Sequence, residues 1–224
     1  MKEISVFDVI GPNMIGPSSS HTAGALRIAR VAKKLSGDDI KHVEFILYGS
    51  FAKTYKGHGT DRALVAGMLG MDTEDERIKE AFKYAAEENL EFSITTEDKE
   101  LEYHPNIVEI VISHNNDNST TSVMGASVGG GSIKIISING IRIDFTGEYC
   151  TMFIRHKDIA GVTAYITKSL SEHGINIAFM RVYREEKGKI GYTIIEADHD
   201  IDSKVVNSIL TNPDVMDIKL IDSV

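Results

Sequence analysis

The chain has 224 residues, enough for one large or two small domains, and its 42% hydrophobic and 25% charged residues are ordinary for a soluble globular protein. A formal net charge of −9 without any Lys/Arg run argues against a nucleic-acid partner, and no apolar stretch approaches the roughly 20 residues of a membrane span. The one cysteine, Cys150, excludes an internal disulfide; an iron–sulfur cluster, which needs about four thiolates, is beyond this chain alone.

Residues 1–8 lack the long apolar core of a signal peptide, which predicts a cytoplasmic protein. A polar stretch from Gly11 to Gly24, carrying Ser18, Ser19, Ser20, His21 and Thr22, then feeds the apolar-periodic run 25–35, a predicted helix. A helix start leaves backbone N–H groups unpaired, and with the helix dipole these favour an anion such as a small carboxylate. His21 beside it titrates near neutral pH and is a candidate proton carrier.

Residues 43–48 read as a strand that ends at Gly49 and Ser50. A second glycine-rich loop follows, Lys56-Gly57-His58-Gly59, ahead of a helix over 60–69 with Thr60 as N-cap and Asp61 in its first turn. A histidine thus recurs before a second helix start. Against a site stands the plainer reading that hydroxyls and carboxylates at helix starts are caps, and spacing alone does not bring the two loops face to face. Lys53 and Lys56 flank the second loop; they could help attract a carboxylate, against the default of solvated lysine.

A third helix is expected over 74–88, with Ile78, Ala81, Phe82, Ala85 and Ala86 at helical spacing. Strands are expected at 90–94 and 106–113, then a turn at 115–118 and β-rich segments at 119–128 and 132–138 around Gly129-Gly130-Gly131. No helix follows these glycines, so they are not a dinucleotide fingerprint. Asn139-Gly140 is a two-residue hairpin signal before an alternating run over 141–149.

The pattern changes near Gly147, which divides the chain into domains 1–147 and 148–224. Residues 149–155 read as a strand, 158–173 as a helix opening and body stopped by Gly174, then strands 175–184 and 189–196, a helix 202–210 and a strand 214–221. This βαββαβ order is ferredoxin-like, and the whole chain reads as α+β. Cys150 reads as a small apolar filler, and the histidines lack metal-ligand spacing, so no metal site is expected.

Gly16-Pro17-Ser18-Ser19-Ser20-His21-Thr22-Ala23-Gly24, Lys56-Gly57-His58-Gly59-Thr60-Asp61 and Ser127-Val128-Gly129-Gly130-Gly131 resemble the signatures of the iron–sulfur L-serine dehydratases. The resemblance covers the first two-thirds of the chain. The last third resembles an ACT domain, a regulatory module of amino-acid enzymes, with Asp158-Ile159-Ala160-Gly161-Val162 as the loop before its first helix. The layout resembles the beta chain of the two-chain enzyme.

The resemblance implies a lyase that converts L-serine to pyruvate and ammonia: a base removes the α-proton, the β-hydroxyl leaves, and an enamine hydrolyses. It implies a [4Fe–4S] cluster carried by a partner alpha chain, acting as Lewis acid on the hydroxyl, and no pyridoxal phosphate. Ser18, Ser19, Ser20 and Thr22 would bind the carboxylate. His21 is the first candidate for the acid/base role, with His58 the alternative, and Gly59, Thr60 and Asp61 would complete the pocket. His104 and Asn106 read as structural. Asp158, Ile159, Ala160 and Gly161 would receive an effector, and the ACT region would support self-association. A rival reading is a serine-sensing regulatory module without catalysis.

Overall fold

The computed structural model describes residues 13–99, 101 and 103–223. The leader reading of residues 1–8, and Gly11 and Pro12 of the first motif, lie outside the described residues. The chain divides into two compact units, Met1–Thr146 and Gly147–Val224.

In the first unit, the run that reads as a helix forms α1 (Ala25–Ser36), which buries Leu26, Ile28, Ala29, Val31, Ala32 and Leu35 along one stripe. β1 (Ile40–Tyr48) alternates buried Val43, Phe45 and Leu47 with half-buried neighbours. The chain then forms α2 (Gly49–His58) and α3 (Thr60–Met68), a 3-10 turn (Glu76–Glu80) and α4 (Ala81–Glu87). Five further strands follow: β2 (Phe92–Glu97), β3 (Asn106–His114), β4 (Thr120–Gly129), β5 (Ser132–Ile138) and β6 (Ile141–Phe145). They form one six-stranded sheet in the order β2-β1-β3-β4-β5-β6, antiparallel except for the parallel β1/β2 pair. The helical segments between β1 and β2 supply the crossover that a parallel pair requires.

Two sequence expectations change here. Residues 49–58, read as a strand end and a loop, are the helix α2. Phe51 is its one buried side chain, so it carries no apolar stripe to announce it. A tertiary contact sets its start: the Ser50 N–H donates to the Pro105 carbonyl at 2.7 Å, ahead of β3. In the third helical segment Ile78, Ala81 and Ala85 are buried, but Phe82 and Ala86, expected on the same apolar face, are exposed. Phe82 instead packs its ring against Phe92, 5.4 Å between centroids.

The Asn139-Gly140 hairpin joins β5 to β6 as expected, both residues left-handed at φ 50° and 76°.

The second unit contains β7 (Cys150–Lys157), α5 (Val162–Glu172), β8 (Ile177–Glu186), β9 (Ile190–Ala197), α6 (Ser203–Leu210) and β10 (Val215–Ile221). The sheet order β10-β7-β9-β8 with antiparallel neighbours is the ferredoxin-like arrangement. Met152, Ile154 and Ile195 of the sheet pack with Val162, Ile166 and Leu170 of α5 and with Val205 and Ile209 of α6. Cys150 is buried in this core, and burial pushes its thiol pKa up. Asp202 caps α6 by accepting the Lys204 N–H at 3.0 Å, and Gly174 turns the chain beyond α5 at φ 72°. Among the described residues, no helix is long and apolar enough to cross a membrane.

Candidate functional site

The first signature is not a loose loop. Ser18 caps a single π-helical turn, Ser19–Gly24, which runs directly into α1. The Ser18 hydroxyl accepts the His21 N–H at 3.2 Å, and the Ser18 carbonyl accepts the Thr22 N–H at 2.8 Å. Gly24 sets the depth of the turn. A Cβ there would lie 2.0 Å from the Ser127 hydroxyl of β4, so only glycine lets the turn settle on the sheet. Ser127 is fully buried, and its hydroxyl has no partner among the described residues.

The second signature is the junction of two helices. His58 is the last residue of α2, and Gly59, left-handed at φ 69°, redirects the chain into α3. Gly59 is therefore the cap that sequence reading assigned to Thr60. Thr60 begins α3 fully buried, its hydroxyl making no cap bond and having no partner among the described residues. A glycine break inside a helical pair looks like a loop in sequence, which is why the reading shifted by one residue.

The two signatures meet. The Thr22 hydroxyl donates to the His58 carbonyl at 3.2 Å, across 36 residues of sequence. The imidazoles of His21 and His58 lie 4.8 Å apart between centroids, tilted by 41°, and Phe51 packs edge-on against His21 at 5.2 Å. His21 Nε2 lies 3.1 Å from the Ser50 hydroxyl, and its Nδ1 lies 3.5 Å from that of Ser18. Burial, and then the like charge that His58 would carry, hold the His21 pKa below the ordinary histidine value of 6.5. A neutral imidazole at neutral pH is a proton acceptor, so the arrangement suits general-base chemistry.

Two cavities lie nearby, one bordered by Ser50, the partner of His21, and the other by His58. One, of about 470 Å³, is lined by Gly49, Ser50, Lys53, Thr54, Tyr103 and His104, among others. The other, of about 190 Å³, is lined by residues that include Gly16, Thr22, His58, Gly59, Arg62 and Lys79. Lysine and arginine on the two walls match an anionic ligand in charge. Ser18, His21, Thr22, His58 and Gly59 thus come together, with Ser19 and Ser20 half-buried in the same turn. Asp61 is not among the residues lining either cavity; its carboxylate accepts the adjacent Arg62 N–H at 2.8 Å.

Sequence reading missed Ser50 and Phe51, which follow a strand without any motif. It read Ser127 only as part of a glycine stretch. Lys53, exposed as its solvated default predicts, and His104 both stand on the wall of the larger cavity.

In the second unit, Asp158, Ile159, Ala160 and Gly161 line a separate cavity of about 470 Å³ with Arg184 and Lys187. The Asp158 carboxylate is engaged within the loop, accepting the Gly188 N–H at 2.8 Å and Arg184 at 3.2 Å. Gly161, left-handed at φ 95°, is the N-cap position of α5.

Among the described residues there is no group of three or more His, Cys, Asp or Glu side chains able to hold a metal ion. With one cysteine in the whole sequence, these residues do not fit an iron–sulfur cluster.

Residues 5–136 match the family model described as "Serine dehydratase beta chain". The chain belongs to this family. The matched region contains both histidine signatures, so the paired imidazoles lie within the family's own segment. A protein of Peptoniphilus asaccharolyticus named L-serine dehydratase, beta chain, is 43% identical over 210 residues, 94% of each chain. A Bacillus subtilis (strain 168) protein named "Probable L-serine dehydratase, beta chain" is 40% identical over 218 residues, 97% of this chain and 98% of the other. D-3-phosphoglycerate dehydrogenase of Bacillus subtilis (strain 168) is 28% identical over 198 residues, 88% of this chain but 37% of that enzyme.

Proposed function

We propose that this chain is the beta subunit of an iron–sulfur L-serine dehydratase, supplying the carboxylate-binding and proton-transfer groups for conversion of L-serine to pyruvate and ammonia. The observation that carries the reading is the convergence of His21 and His58, 4.8 Å apart, beside cavities with cationic walls. The half-buried π-helical turn of Ser18, Ser19 and Ser20 offers hydroxyls and backbone N–H groups to the substrate carboxylate. His21, held by Ser18 and Ser50 and kept neutral by burial, is the first candidate to take the α-proton, with His58 as the alternative. The family's [4Fe–4S] cluster, for which this chain lacks ligands, belongs in this reading to an alpha chain.

Reconstitution tests it. The chain, co-expressed anaerobically with a cluster-bearing alpha subunit, is expected to consume L-serine, each half alone being inactive. His21→Asn is expected to abolish turnover and leave assembly intact. A well-assembled wild-type pair that leaves L-serine untouched overturns the reading.

A second reading, a serine-sensing module without catalysis, is favoured by the match to D-3-phosphoglycerate dehydrogenase across 88% of this chain. A sensor needs the hydrogen bonds but no proton carrier, so serine binding without turnover in the reconstituted pair decides for it.

The second unit supports an ACT-type regulatory role, its βαββαβ order joined by the cavity at Asp158, Ile159, Ala160 and Gly161. In this reading an amino-acid effector binds there and the chain self-associates through this unit. Light scattering that finds a monomer across a wide concentration range opposes the self-association.

A further inference from the structure

We propose that the hairpin tip between β4 and β5, Val128 to Gly130, together with Tyr103, is the surface on which the cluster-bearing alpha chain docks. The inference rests on the reading that an alpha chain completes this site, and it names where on this chain that partner sits.

The tip stands at the site. Ser127, the residue before it, meets Gly24 of the π-helical turn, and β4 and β5 both pack against that turn. Asn106 Nδ2 lies 3.5 Å from the Ser127 carbonyl, and Arg27 of α1 donates to the Gly131 carbonyl at 2.8 Å. The tip is thereby fixed to β3, to α1 and to the turn that carries His21.

Beyond Ser127 the register between β4 and β5 shifts across Val128, and a bulge of this kind turns a side chain outward. Val128 is 46% exposed. Among the described residues of the first unit, the exposed large apolar side chains are Phe82, Tyr103 and Val128. Phe82 packs on Phe92, and the other two border the site. Tyr103, 43% exposed, stands with Ser50 on the wall of the larger cavity. Its ring is 5.8 Å from Lys134 Nζ, which pairs with Asp144 at 2.8 Å.

The composition of the tip points the same way. Residues 118–133 contain no charged side chain, in a chain of which 25% are charged. Left-handed positions elsewhere in this chain include Asn89, Asn118 and Asn139, at φ 56°, 52° and 50°. Gly130, at φ 60°, has an angle that asparagine accepts, yet it carries no side chain. Gly129 faces open space, where a Cβ would meet nothing within 4 Å. Bare, uncharged backbone beside an exposed valine and an exposed tyrosine matches the core of a protein–protein interface, which is depleted of charge and enriched in tyrosine.

The site decides the occupant. A substrate carboxylate held by the π-helical turn leaves the hydroxyl of the same small molecule only a few ångströms away. The Lewis acid for that hydroxyl belongs to another chain, since one cysteine cannot ligate a cluster. That chain must cover the rim of the turn, and Val128 and Tyr103 are the apolar groups the rim presents to it. A short-branched valine on a fixed tip loses little freedom on docking.

Assembly, rather than turnover, is the readout. Binding of the purified alpha subunit to the full-length chain, both kept anaerobic, is measured by biolayer interferometry. Val128→Glu is expected to raise Kd about tenfold or more and Tyr103→Ala about threefold or more, with the melting temperature of the free chain unchanged. Met216→Glu, at a similarly exposed apolar position in the second unit, is expected to leave Kd as it is. Hydrogen exchange at residues 128–131 is expected to slow in the complex. Wild-type Kd in Val128→Glu, or exchange at 128–131 unchanged by the alpha subunit, overturns the proposal. So does an equal loss in Met216→Glu, the mark of a general charge effect, or a change confined to self-association of the free chain, which assigns the tip to a second copy. A wild-type pair that assembles with a protected tip but leaves L-serine untouched overturns the dehydratase reading and not the docking surface. Wild-type chains that fail to bind each other overturn both.

Discussion

The Ser50 hydroxyl stands 3.1 Å from Nε2 of His21, a residue 29 positions earlier in the chain. One comes from the first turn of α2 and the other from the π-helical turn before α1, so the contact reports how the two segments are docked. Ser50→Ala is expected to lower kcat of the reconstituted enzyme about tenfold, with a stability change of at most ~1 kcal/mol, the scale of one neutral hydrogen bond. Steady-state kinetics beside thermal melts measure both. Wild-type kcat in Ser50→Ala makes the contact incidental.

The pH dependence has a definite sign. The folded state holds His21 below the 6.5 of a free histidine, so the folded chain binds this proton less readily than the unfolded one. The contribution of His21 to stability is fully present above about pH 6.5, the unfolded value, and is lost as pH falls through the lower folded value. His58→Gln removes the like-charge neighbour and should raise the His21 pKa. Because burial is the larger cause, the value should still lie below 6.5. An NMR titration of the His21 ring protons in the full chain reads this directly, and a downward shift in the variant contradicts the assignment.

Gly24→Ala tests the seat of the first turn. The new Cβ would meet the Ser127 hydroxyl at 2.0 Å and its Cβ at 2.7 Å. Overpacking of this kind costs about 1–3 kcal/mol, and a buried clash this close belongs at the upper end. Adding Ser127→Gly removes both atoms and leaves Ser127 Cα, 3.7 Å away, as the nearest of the three. The double variant should therefore recover much of the loss in denaturant unfolding. A double variant no more stable than Gly24→Ala places the cause elsewhere.

Gly57 and Gly59 give a contrast within three residues. Neither would bring a Cβ within 4 Å of another group, but Gly59 alone is left-handed, at φ 69°. Gly59→Ala should destabilise by about 1–2 kcal/mol from backbone strain, whereas Gly57→Ala, inside α2, should stabilise by about 0.5–1 kcal/mol. Turnover should fall with the first substitution, since it disturbs His58, and hold with the second. Equal effects on stability would mean that φ at Gly59 is not the constraint.

Much of the architecture was legible because it is written locally. The apolar stripe of 25–35 announces α1, Asn139-Gly140 announces a hairpin, and Gly174 and Asp202 mark one helix end and one helix start in the second unit. α2 was not legible, since a helix that buries one side chain has no periodicity to detect. The Thr60 cap was misread for a related reason: Gly59 can end one helix and open the next only because of a backbone angle that no side chain reveals.

Residue types and short-range patterns were enough to propose two histidine-bearing helix starts and a βαββαβ second half, because capping chemistry and hydrophobic period act over a few residues. They could not decide that His21 and His58 face each other, or that Ser50 holds the first. Those contacts depend on the parallel pairing of β1 with β2, on the bond between Ser50 and Pro105, and on Gly24 seated against Ser127. Each joins residues distant in the chain, and an encounter of that kind is selected by the packing of the whole unit.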